Sequence, residues 1–89
     1  MSKETVLFKS QEKRSRQEIV DTMRQLADKI EQGSLQLRGG GQEISLDFPS
    51  ALTLEIKVED EQKASLKRSL ELELEWYPGQ SDDTGTVIA

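Results

Sequence analysis

The sequence predicts an α+β protein in which one amphipathic helix packs on one face of a mainly antiparallel five-stranded sheet. Three observations carry this. A single stretch with a period of 3.6 lies near the N-terminus; four later segments alternate with a period of two; and turn residues separate those segments at short intervals. At 89 residues the chain allows one domain, which buries only about 60% of the surface its unfolded form exposes. A deep enclosed ligand pocket is therefore not expected.

The elements follow in order. Residues 4 to 9, "ETVLFK", are β-branched and aromatic, which predicts a short strand. In "SRQEIVDTMRQLADKIEQG", Ser15 followed by Glu18 forms a capping box. Ile19, Met23, Leu26 and Ile30, flanked by Val20 and Ala27, make the apolar stripe, and Gly33 stands where a left-handed cap is wanted. The period then changes. Leu35 and Leu37 precede Gly39 to Gly41, and Ile44, Leu46 and Phe48 follow, which predicts a hairpin with a permissive turn.

After a break at Pro49 and Ser50, Leu52, Leu54, Ile56 and Val58 alternate with Thr53, Glu55 and Lys57. The stretch "EDEQKASLKR" reads as a charged tip before the last strand, "LELELEW", in which Leu70, Leu72, Leu74 and Trp76 share the inward phase. Arg68 has that same phase, so the strand either starts after it or is reset by a bulge. The domain is expected over residues 1–77, with 78–89 a flexible tail lacking usable periodicity.

Numbering the predicted strands along the chain, hairpin alternation and an antiparallel first strand give the order 2-3-4-5-1. A helix of about 17 residues, roughly 25 Å long, spans the roughly 19 Å of four interstrand gaps. The order 1-2-3-4-5, with a right-handed crossover, stays open.

The residues "VLFKSQEKRSRQEIVDTMRQLADKIEQG", "ISLDF", "LEIKVE" and "LELELEW" resemble the amphi-Trp domain, a small prokaryotic family named for its amphipathic last strand ending in tryptophan. The similarity spans about residues 4 to 77, and "SR" at the helix start with "ADKI" at its end makes it more specific than the strand alone. The resemblance implies a stand-alone domain. It brings no catalytic residue with it.

Composition narrows the function. The chain has neither cysteine nor histidine, which excludes disulfides, thiolate zinc sites, Cys nucleophiles and imidazole bases. Residues 1–45 carry 8 basic and 7 acidic side chains, and residues 46–89 carry 4 and 10. The acidic half disfavours nucleic-acid binding, which needs clustered Lys and Arg. No apolar run reaches the roughly 20 residues of a membrane span, and the N-terminus lacks a secretory signal, so a cytoplasmic address is expected.

Three features could carry chemistry. Lys13, Arg14 and Arg16 surround the N-cap Ser15, and a helix N-terminus with added cations can hold a phosphate or an acidic partner. Against this, Glu18 competes for the same donors. Glu71, Glu73 and Glu75, joined by Glu55, could bind a hard cation or work as an acid and base pair. Six to eight converging oxygens for calcium and a buried carboxyl for catalysis are both demanding requirements, so the solvent face of a sheet is the preferred reading. Trp76 could anchor a partner, but its phase assigns it to the edge of the core.

The expectation is a small non-enzymatic binding or accessory module working through its surface, with no catalytic residue, cofactor or metal. The anion site at the helix start is the first candidate, and strand addition at a free edge, residues 34 to 38, is another. A self-associating structural module is the alternative, followed by a carboxylate enzyme or cation binder. Leu7, Leu66, Val87 and Ile88 are apolar residues left outside the core pattern. The partner is expected to be a protein or an anionic ligand, with the chain a monomer or weak homo-oligomer.

Overall fold

A computed structural model describes residues 3–79. Its elements run α1 (Arg16–Gln32), β1 (Ser34–Gly39), β2 (Gln42–Asp47), β3 (Thr53–Gln62) and β4 (Leu66–Glu75). The class is α+β, as expected. The sheet is not. Instead of one five-stranded sheet, β1 pairs with β2 and β3 with β4, giving two antiparallel two-stranded sheets. The chain divides into two compact units, Met1–Phe48 and Pro49–Ala89.

In the first unit the helix is closed at both ends by its own sequence. The Ser15 hydroxyl accepts the Glu18 amide at 3.1 Å, and the Glu18 carboxylate accepts the Ser15 amide at 3.2 Å, completing the capping box. Gly33 adopts φ 95°, and its N–H donates to the Lys29 and Ile30 carbonyls. A side chain would be strained there. Gly33 also accepts the Phe48 amide at 2.8 Å, which ties the end of the helix to the end of β2.

The β1–β2 ladder runs from Ser34 opposite Asp47 to Gly39 opposite Gln42, leaving Gly40 and Gly41 as a two-residue turn. Both have positive φ, 55° and 76°, which is the type I′ geometry that matches strand twist. Leu35 faces Leu46 and Leu37 faces Ile44, and these four are half-buried. The helix packs on β1, with Val20, Leu26 and Ile30 half-buried as well. Ile19 and Met23, read from the sequence as core, remain 46% exposed each.

The predicted first strand, residues 4–9, forms no ladder. Its Lys9 amide donates to the Gln42 side chain at 3.2 Å, and the Phe8 ring lies beside Gly39. Val6 and Leu7 are exposed. High strand propensity without a partner strand leaves the segment outside any ladder.

The second unit is a long ribbon. Its register sets Leu54 opposite Leu74, Ile56 opposite Leu72 and Val58 opposite Leu70. The ladder then continues through Asp60 opposite Arg68 to Gln62 opposite Leu66. The charged tip is therefore mostly strand, with Lys63, Ala64 and Ser65 as the loop. Arg68 neither precedes the strand nor marks a bulge. It stays in phase and its guanidinium grips Asp60 in two hydrogen bonds of 2.7 and 2.9 Å, the fork geometry suited to a carboxylate.

Alternation holds along both strands, but the inward assignment of Leu70 and Leu72 is corrected: they are 67% and 51% exposed. Leu74 and Trp76 are half-buried. The two strands of one ribbon supply no second layer to cover their apolar face. Of the predicted tail, residues 80–89 lie outside the described residues, and with them Val87 and Ile88. No helix among the described residues is long and apolar enough to cross a membrane.

Candidate functional site

The β3–β4 ribbon separates its chemistry by face, because opposite partners in an antiparallel ladder project to the same side. One side holds Leu54, Ile56, Val58, Leu70, Leu72 and Leu74, bounded at the far end by the Asp60–Arg68 pair. The other holds Glu55 opposite Glu73, Lys57 opposite Glu71 and Thr53 opposite Glu75.

On the charged side, the predicted comb is sorted by cross-strand neighbours. Lys57 reaches Glu71 at 3.3 Å and Glu59 at 3.4 Å, and its ammonium is held above the usual lysine range by those two carboxylates, Glu71 first. That removes Glu71 from the acidic group. What remains is Glu55, Glu73 and Glu75, with one carboxylate oxygen of each lying within 4.8 Å of the others. Glu73 is pushed above the usual carboxylate range, chiefly by the hydrogen bond and like charge of Glu75, with a small contribution from Glu71. All three are exposed, so water competes for every oxygen. Three side chains on an open face fall well short of a calcium cage, and no apolar wall keeps one carboxyl protonated for acid catalysis.

At the helix start, Lys13, Arg14, Ser15 and Arg16 come together as sequence neighbours, and of these Arg14 and Ser15 are engaged internally. Arg14 pairs with Glu12 and, at 3.4 Å, with Glu18. Its guanidinium is held above its usual range, Glu12 being the main cause. Glu18 is held below the usual carboxylate range, first by the Ser15 amide, then by the Ser15 hydroxyl and Arg14. The helix end thus already contains a carboxylate where an external anion was expected to sit.

An open depression of about 480 Å³ lies against β1 and β2, lined by Lys29, Ser34, Leu35, Gln36, Ser45, Leu46 and Asp47. The free edge predicted at residues 34–38 is also not distinctive, since each strand of a two-stranded sheet has one unpaired edge.

The apolar side of the ribbon is the feature without internal satisfaction. Leu54, Ile56, Val58, Leu70 and Leu72 are 51% to 67% exposed, contiguous, and unbroken by charge for three successive cross-strand pairs. Leu66, beyond Arg68 on the same side, is 54% exposed. Alternation identified these residues in the sequence, although it assigned them to an interior.

The sequence model of the Amphi-Trp domain family matches residues 1–88, nearly the whole chain. The chain belongs to the Amphi-Trp domain family. No curated protein and no solved structure matches it.

Proposed function

We propose that the chain is a non-enzymatic protein-interaction module whose working surface is the apolar side of the β3–β4 ribbon. The observation that supports this is the uninterrupted face made by Leu54, Ile56, Val58, Leu70, Leu72 and Leu74, most of it exposed. An isolated two-stranded ribbon is marginal in water, so a face of this kind gains stability from being covered. The opposite side is charged and self-satisfied in part by Lys57, which favours solvent there. The helix start supports the anion-binding reading less well, because Glu18 already occupies the Ser15 donors and Arg14 is paired.

The test uses the absence of cysteine from the chain. Ile56→Cys and Glu55→Cys place a thiol on the apolar and charged sides in turn. In dilute protein both thiols should react with a soluble maleimide at similar rates. Strong protection at position 56 in a dilute monomer would mean that the chain covers this face itself, and the reading would fail.

A further inference from the structure

We infer that the occupant of the ribbon's apolar face is a second copy of the same chain, packed face to face about a two-fold axis through the Ile56–Leu72 pair. This rests on the reading of that face as an interaction surface.

The area is sufficient. Leu54, Ile56, Val58, Leu70, Leu72 and Leu74 present on the order of 500 Å² of apolar surface, comparable to the largest patch on an ordinary monomer. Two such faces pressed together remove about 1,000 Å², and the aliphatic stems of the flanking charged residues bring this to the lower end, roughly 1,200 Å², of specific interfaces.

The charge pattern selects the same arrangement. Three cross-strand pairs are aliphatic, from Leu54–Leu74 through Ile56–Leu72 to Val58–Leu70, with the second at their midpoint. An axis there, perpendicular to the strands, lays each Leu54–Leu74 end over the other copy's Val58–Leu70 end. The Asp60–Arg68 pairs then fall at the two outer ends, where polar groups belong in an interface. Each pair is neutral within its own ribbon, so no unpaired charge is buried. The other side of the ribbon is less suited, because Glu55, Glu71, Glu73 and Glu75 stand there against Lys57, and packing it would bury ionised groups. A symmetric contact of this type closes on itself, which yields dimers instead of open chains.

Sedimentation equilibrium of the full chain, combined with maleimide labelling, tests the inference. The expected result is a concentration-dependent rise to twice the 10.1 kDa chain mass. Labelling at Ile56→Cys should slow at least tenfold over the same concentration range, while Glu55→Cys is unaffected. Leu72→Asp should abolish the dimer, and Glu73→Lys, on the other side, should preserve it. Because Leu72→Asp could unfold the ribbon, circular dichroism of that variant must still show strand signal for its result to count, and the labelling contrast at positions 55 and 56 stands independently. A chain that stays monomeric at millimolar concentration overturns the second-copy inference. If position 56 is then freely labelled, the interaction-surface reading survives with a different partner, whereas protection in that monomer overturns both.

Discussion

The two units use the same apolar alternation with opposite outcomes. In the first, Leu35, Leu37, Ile44 and Leu46 become half-buried, because a helix directly precedes the hairpin and lays Val20, Leu26 and Ile30 on it. In the second, a longer ribbon with a stronger pattern leaves Ile56 and Leu72 more than half exposed. Alternation therefore specifies that a face is amphipathic, and a second layer decides whether it is interior. Where the unit supplies no such layer, the same pattern leaves an exposed apolar face.

Substitutions can break that contrast, and the largest effect is expected in the second unit. Ile56→Asp places a charge at the proposed two-fold axis and acts twice per dimer. It should weaken self-association by at least ~30-fold, the effect of losing one central hot spot of about 2 kcal/mol. The same exchange at Glu55 should leave association unchanged, read by sedimentation of both variants.

In the first unit the largest effects should be on folding instead. Gly33→Ala forces a side chain into the left-handed region at φ 95° and should cost about 1 to 2 kcal/mol. Ser15→Ala removes the acceptor for the Glu18 amide and should cost about 1 kcal/mol. Urea denaturation of each variant checks both values, and neither should change the dimer equilibrium more than the stability loss requires.

The smallest effects are electrostatic and have opposite signs. Asp60 is held below the usual carboxylate range by Arg68, so the stability it contributes is present above the ordinary aspartate range and is lost as pH falls through its folded titration. Glu73 is raised by Glu75, so its ionised form opposes folding and protonation relieves the repulsion. Asp60→Asn should therefore blunt the loss of melting temperature on acidification. Glu73→Gln should raise the melting temperature slightly at neutral pH and make no difference once the carboxyls are protonated.

Much of this was legible from residues alone, and the failures have identifiable physical causes. The helix limits could be read because Ser15, Glu18 and Gly33 are local signals that act within one turn. The glycine turn was legible for the same reason, since Gly40 and Gly41 carry the required positive φ. Lateral strand pairing was not, because turns fix strand direction without fixing which strand lies beside which. Residues 4–9 show this, with Val6 and Phe8 supplying propensity but no ladder.

Arg68 misled because its satisfaction is non-local. The residue that pairs with it, Asp60, lies in a stretch whose composition reads as loop. The acidic cluster was partly legible: Glu55 was expected to join the comb, but Lys57 opposite Glu71 reorganises it into Glu55, Glu73 and Glu75. At the helix start Lys13, Arg14, Ser15 and Arg16 are adjacent in sequence. What spacing did not reveal is that Glu12 and Glu18 both engage Arg14.

Isotope-filtered NMR on a mixed sample of labelled and unlabelled chain can observe a contact between two ribbon faces directly. Intermolecular contacts are expected between the methyl groups of Ile56 and Leu72, extending to Leu54 with Val58 and Leu70. A concentrated sample with no intermolecular methyl contacts on this face, or with contacts confined to the side bearing Glu55 and Glu73, would contradict that expectation.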